Sequence, residues 1–204
     1  DPGRTPALVL VNSSLAADRL AEFPPPVPAV VYVHEQGDAL AQLPPQAVEQ
    51  LTGRADRVLC VSPECRADLV DLGVAEDRIV VLPPPIVERP RPSDAEVSAA
   101  RQEMGGRAGR RLVVGCGVVS WRKGTDLFVA VGRELRRRRD DVDLAWIGRG
   151  NRSMSRILRV DSELADIADR LRWIDEVAAT DAYLAAADVL LVSSREDPQP
   201  LVVG

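Results

Sequence analysis

The sequence predicts an α/β protein made of two parallel-sheet domains. Three observations lead there. Short apolar, β-branched runs alternate with helix-like segments along the whole chain, the signature of strands that need helical crossovers. A proline-rich, charged stretch at residues 83–92 has no core pattern and reads as a linker, with the alternation resuming beyond it. Residues 112–147 run strand, glycine-bearing turn, amphipathic helix and strand, one complete parallel unit.

Composition narrows the function classes. At 204 residues, with 46% hydrophobic and 28% charged side chains, the chain is an ordinary globular protein of one large or two small domains. A formal net charge of −5 argues against a nucleic-acid partner. The three cysteines, Cys60, Cys65 and Cys116, have neither metal-ligand spacing nor an even disulfide framework, which points to a reducing compartment. No apolar run reaches the roughly 20 residues that span a bilayer, and the start lacks the pattern of a signal peptide, so a cytoplasmic protein without a transmembrane segment is expected.

In the first half, residues 7–12 read as a buried strand entered in mid-domain. Ser13 and Ser14 offer caps for a short helix at residues 15–20, ended by Pro24, Pro25 and Pro26. Residues 29–33 form a second apolar strand that delivers His34 and Glu35 at its carboxyl end, the edge where open α/β sheets bind ligands. Glu35 reads as a polar neighbour only. A helix follows at residues 46–51. The strand at residues 57–61 leads to Ser62 as cap, Pro63 at the first helical position and Glu64 in the first turn, with Gly73 ending that helix. Residues 79–82 form the next strand.

Past the linker, residues 94–104 look helical. The helix expected at residues 124–139 carries Leu127, Phe128, Val131 and Leu135 at the spacing of one buried face. Its four-arginine end, residues 136–139, reads as a solvated helix terminus rather than a nucleic-acid patch. A strand at residues 144–147 comes next, then a polar helix at residues 155–169, a strand at 171–174, a small helix at 181–187 and a strand at 189–192.

The turn at residues 115–124 carries the chemistry. A strand, a glycine turn and a helix start that holds a cation make a phosphate cradle, because unpaired N–H groups and the helix dipole both favour an anion there. Lys123 is the single lysine of an otherwise all-arginine chain, and a compact ammonium suits a phosphate oxygen. The expected ligand is therefore phosphorylated. Cys116 reads as a small buried filler in the same turn.

Taken in order, HEQGDAL, ADRVLCVSPECRADLVDLGVAEDRIVVLPPP, VVGCGVVSWRKGTDLFVAVGRELRRR, DLAWIGRG, LRWIDEVA and YLAAADVLLVSSREDPQPLVV resemble the family 4 glycosyltransferases. The resemblance covers nearly the whole chain. It implies two Rossmann-like parallel-sheet domains of the GT-B fold facing across a cleft, an acceptor-side domain at residues 1–88 and a nucleotide-sugar-binding domain at residues 89–204. It also implies an incomplete first domain and a truncated second one.

The resemblance implies a retaining, metal-independent transfer of a hexose-type sugar from a nucleotide-sugar donor to an acceptor that the sequence leaves open: glycan, lipid or small molecule. No cofactor or metal is expected, the donor being a substrate. Lys123 matches the lysine that meets the donor diphosphate. Val118 stands where many members have an arginine, and Arg122 is the candidate for the missing charge. Gly117 lines the turn, Gly150 matches the glycine where the backbone approaches the nucleotide, and Val177 matches the place where the base lies against the chain. Asp175 stands where a glycine is usual. His34 matches the histidine that faces the donor sugar.

For the carboxylate at the sugar hydroxyls, residue identity favours Glu196 and spacing to Pro200, Leu201 and Val202 favours Asp197. The second carboxylate, eight residues on, would fall on Gly204 or one position later, so it is expected outside this chain. Leu201 and Val202 would open a helix whose N–H groups reach the diphosphate. The alternative function is a non-catalytic α/β module that binds a nucleotide or a protein partner.

Overall fold

Four β-branched runs of the first half pair into one sheet. β1 (Val9–Val11), β2 (Ala29–Val33), β3 (Arg57–Cys60) and β4 (Ile79–Val81) lie in sequence order, all parallel. The computed structural model describes residues 6–86, 89–150, 152–200 and 202. Along β2 the side chains alternate between fully and partly buried, as expected for a strand inside a two-sided sheet.

The segment after β1 is tighter than the expected helix. Ser14–Glu22 is a 3-10 helix whose buried residues, Ser14, Ala17 and Leu20, recur every three positions. A three-residue turn keeps them on one face, which a 3.6-residue turn would not. The helix expected at residues 46–51 changes type midway: after a separate short α1 (Asp38–Ala41), α2 (Pro45–Glu49) runs into a wider π-helical turn at Gln50–Arg54. α3 (Pro63–Asp71) forms as its caps dictate, with Ser62 Oγ accepting from the Cys65 N–H at 3.2 Å. Leu20, Val31, Leu51, Val58 and Leu69 centre the core of this half.

The second half builds its own parallel sheet. α4 (Asp94–Glu103) starts on a capping box between Ser93 and Glu96. Then come β5 (Arg111–Cys116), α5 (Thr125–Arg138), β6 (Val142–Ile147), α6 (Arg152–Leu164), β7 (Leu171–Ile174), α7 (Asp181–Ala186) and β8 (Val189–Leu190). The strand order is β7-β6-β5-β8. Both sheet faces are covered: Val113, Leu144 and Trp146 pack with Phe128 and Leu158 of α5 and α6, while Leu112, Val114, Ala145 and Ile147 pack with Ala100 and Ala186 of α4 and α7.

Two elements differ from the sequence reading in a way packing explains. α5 starts at Thr125 and buries Thr125, Phe128, Val129 and Gly132, whereas Leu127 and Val131 are 40% and 38% exposed. Gly132 sets that face: a Cβ there would lie 3.1 Å from Ile167 and 3.2 Å from Leu144, so the helix rotates its smallest residue towards the sheet. α6 ends at Leu164, earlier than expected, because Asp166 takes a positive φ of 56° and the Ile167 N–H turns back to the Ser162 carbonyl at 3.0 Å. The arginines at residues 136–139 each reach a nearby carboxylate, Glu134, Asp140, Asp141 or Asp166.

By internal contacts the chain divides into two units, Asp1–Val87 with Glu196–Gly204, and Glu88–Arg195. Residues 196–204 thus group with the first unit, where the sequence reading has them in the second domain. No described helix is long and apolar enough to cross a membrane.

Candidate functional site

The order of the second sheet marks its ligand edge. From β5 the chain crosses to β6 and β7 on one side, then returns to place β8 on the other. At such a reversal the connections leave in opposite directions and a crevice opens at the carboxyl ends of the central strands. The segments that leave there are residues 117–124 after β5 and residues 191–195 after β8. They are bound to each other.

Lys123 sits in that turn. Its N–H donates to Ser120 Oγ at 3.3 Å, its carbonyl accepts from Ser193 Oγ at 3.2 Å, and its half-buried side chain runs along Gly117, with carbons 3.4 Å from where a Cβ on that glycine would stand. Gly124 caps α5 in the left-handed region at φ 61°, and a Cβ there would fall 1.8 Å from the Ser193 carbonyl oxygen. Only glycine satisfies both conditions. Thr125, fully buried, closes the turn by accepting from the Ser120 N–H at 3.2 Å.

Arg195 clamps the same turn from outside. Its N–H donates to the Arg122 carbonyl at 2.8 Å and its guanidinium donates to the Trp121 carbonyl at 2.9 Å. The guanidinium also forms a two-point ion pair with Asp126 at 2.7 and 2.8 Å and lies 3.4 Å from the centre of the Trp121 ring. These hydrogen bonds hold the Asp126 carboxyl below its usual range. Nothing in the sequence pairs Arg195 with residues some seventy positions earlier. Arg122 exposes its side chain, and Val118 is 59% exposed. At Cys116 burial pushes the thiol pKa up and the Lys123 charge only partly offsets it, so the thiol stays protonated.

A pocket of about 510 Å³ adjoins the turn. Its lining includes Val119, Gly150, Arg149, Arg156, Trp173 and Asp175. Glycine again permits the approach: at Gly148, φ 131°, a Cβ would lie 2.3 Å from the Gly117 carbonyl oxygen, which also accepts from the Trp146 indole N–H at 2.9 Å. Val119 and Gly150 form a parallel bridge. The turns after β5 and β6 are therefore one surface. Val177 packs its side chain against the core on the α4 and α7 face. Of the pocket residues the sequence singles out Gly150 as a ligand contact; the arginines and Trp173 are scattered along the chain and meet only in the fold.

In the first unit, His34 is exposed at the end of β2, its Nε2 2.9 Å from Asn12 Oδ1 and its ring 4.2 Å from that of Tyr32. Glu35 is a hub rather than a bystander. It accepts from Ser13 Oγ at 2.6 Å, Ser14 Oγ at 2.7 Å, Ser14 N–H at 3.0 Å and His34 N–H at 3.1 Å. Burial raises its pKa, but these hydrogen bonds together outweigh burial and hold the carboxyl below the usual range. Glu196 Oε1 accepts from the Asp38 N–H at 3.1 Å and lies 2.8 Å from where a Cβ on Gly37 would stand. Asp197 and Val202 are half-buried, and Leu201 lies outside the described residues.

Fold and site define an α/β protein with a lysine-bearing glycine turn and an adjoining pocket at the switch point of a parallel sheet. A family model described as Glycosyltransferase Family 4 matches residues 4–88, and one described as Glycosyl transferases group 1 matches residues 110–204. The chain belongs to the family 4-like glycosyltransferases and has their GT-B fold.

No curated protein matches the chain by sequence. Among solved structures it is similar to Anabaena Alr3699/HepE in complex with UDP and glucose, at TM-score 0.78 and 16% identity, over 95% of this chain and 55% of that one. It is also similar to an α,α-trehalose-phosphate synthase (UDP-forming) from Burkholderia vietnamiensis, at TM-score 0.69 and 17% identity, over 98% and 56%. A third is WaaG, a glycosyltransferase involved in lipopolysaccharide biosynthesis, at TM-score 0.68 and 17% identity, over 85% and 52%. The chain thus spans about half the length of the structures it matches.

Proposed function

We propose that this chain carries the donor site of a glycosyltransferase that moves a sugar from a nucleotide sugar to an acceptor, with retention of configuration and without a metal. The observation that carries the reading is Lys123, laid along Gly117 at the switch point, next to a pocket large enough for a nucleoside. Breaking the bond between sugar and diphosphate leaves negative charge on the departing phosphate. The Lys123 ammonium and the amino end of α5 can neutralise that charge, because both are fixed before the reaction begins. Gly117 and Gly150 let the backbone approach the ligand, and Arg122 adds positive charge at the edge of the turn. His34 is proposed to orient the donor sugar, and Glu196 or Asp197 to accept from its hydroxyls. The UDP in the HepE complex is consistent with a nucleotide donor.

Titration calorimetry with nucleoside diphosphates tests the reading. Lys123→Ala should weaken binding at least tenfold, roughly the loss of one charge-assisted contact. Unchanged affinity in that variant, with the fold intact, would remove the lysine from the site. A module that binds without transferring is the second reading, favoured by exposed Val118, which brings no charge to the diphosphate. Turnover of a nucleotide sugar to nucleoside diphosphate excludes it.

A further inference from the structure

The pocket beside Gly150 carries charge of both signs. Arg149, Arg156 and Arg159 line it with one carboxylate, Asp175, and among the described residues none of these four side chains makes an ion pair or a side-chain hydrogen bond. Other arginines of this unit are matched: Arg107 and Arg110 on Asp143, Arg101 and Arg111 on Asp188, Arg195 on Asp126. Trp173 and Asp175 are two positions apart at the end of β7, so an aromatic surface and a carboxylate share one edge of the pocket.

Those groups discriminate between bases. Guanine presents two acceptors, O6 and N7, on one edge and two donors, N1–H and the 2-amino group, beside them. A guanidinium pairs with the first edge and a carboxylate with the second, each through two hydrogen bonds. Uracil flanks its single N–H with two carbonyl oxygens, so a carboxylate set against it meets one donor and two repelling oxygens. Adenine offers one amino group and no adjacent ring N–H. Cytosine likewise gives a carboxylate its amino group alone, so only guanine meets both kinds of charge on this rim through paired hydrogen bonds while its ring stacks on an indole.

We infer that the base-binding half of the site is built for guanine, so that the ligand is guanosine diphosphate or a sugar ester of it. This assignment rests on the donor reading above and goes beyond it in naming the base.

Calorimetry of the chain with GDP, UDP, ADP and CDP decides it. GDP should bind at least tenfold more tightly than the others, since a site that hydrogen-bonds a ligand edge rejects analogues lacking it. Asp175→Asn should cost GDP about tenfold and leave UDP within about twofold, because the amide turns donors towards the guanine amino group. Asp175 is exposed, so the variant's melting midpoint should stay within about 1 °C of the parent's. UDP binding as tightly as GDP, or equal losses for both in the variant, overturns the base assignment and leaves the donor reading standing. Failure of every nucleoside diphosphate to bind overturns both.

Discussion

Arg195 grips Asp126 through two hydrogen bonds of 2.7 and 2.8 Å while its guanidinium carbon sits 3.4 Å over the centre of the Trp121 ring. The pair fastens the segment after β8 to the turn that holds Lys123. On the proposed donor reading Arg195 is a positioning residue, acting through the Trp121 and Arg122 backbone that it holds. Arg195→Ala should weaken nucleoside diphosphate binding about fivefold to tenfold, in keeping with loss of a charge-assisted pair. Arg195→Lys should recover less than half of the loss, since an ammonium cannot form the fork or the stack. Full recovery would assign the effect to charge alone. Trp121 emission reports on the stacked geometry independently of binding.

Gly124→Ala sets a methyl group against the Ser193 carbonyl in a backbone conformation that alanine disfavours by about 1–2 kcal/mol. With the added clash, the second unit should lose about 3 kcal/mol or more in urea unfolding. Gly109 serves as the control: its φ is also positive, at 75°, but nothing lies near its missing Cβ, so Gly109→Ala should cost only the backbone share.

Glu35 predicts a pH dependence in the first unit. Its folded pKa lies below the ordinary 4.5, so the stability it contributes is fully present above that value and is lost as pH falls through the lowered folded value. Glu35→Gln should destabilise this unit by about 2 kcal/mol near neutral pH, the worth of hydrogen bonds to a charged acceptor. The gap between parent and variant should shrink below about pH 4.5. A gap independent of pH would mean that shape, not charge, joins β2 to Ser13 and Ser14.

Asp143 is a carboxylate inside β6, its side chain 2% exposed, that receives Arg110 Nε at 2.8 Å and the Arg107 N–H at 3.1 Å. Burial opposes its ionisation, and the arginine hydrogen bonds overcome it to hold the pKa low. Removing it leaves Arg110 without its anion. Asp143→Ala should therefore cost about 3–5 kcal/mol in denaturant unfolding, well beyond a surface ion pair.

Sequence patterns carried the elements whose causes are local. β2 spans the expected residues because five consecutive apolar side chains need no partner to be recognised, and α3 starts where Ser62 and Pro63 place it. The buried face of α5 escapes the hydrophobic pattern because Gly132 counts as nothing on a hydrophobic scale yet packs closely against Ile167 and Leu144. Glu35 looked incidental because its partners, Ser13 and Ser14, come beside it only when β1 and β2 pair. Lys123 stood out as the chain's only lysine; the arginines of the pocket and the Arg195 clamp, spread from residue 121 to residue 195, did not.

The reversal in strand order also has a consequence for biosynthesis. β8 is two residues long and follows α5, α6 and α7 in the chain, yet residues 193–195 behind it hold the Lys123 turn in shape. A nascent chain that has released α5 through α7 therefore carries the Lys123 turn without its fastening. The turn is fastened once Val189 and Leu190 zip onto Val113 and Val114, and on the proposed donor reading the amides of that short strand should exchange with solvent more slowly when a nucleotide is bound.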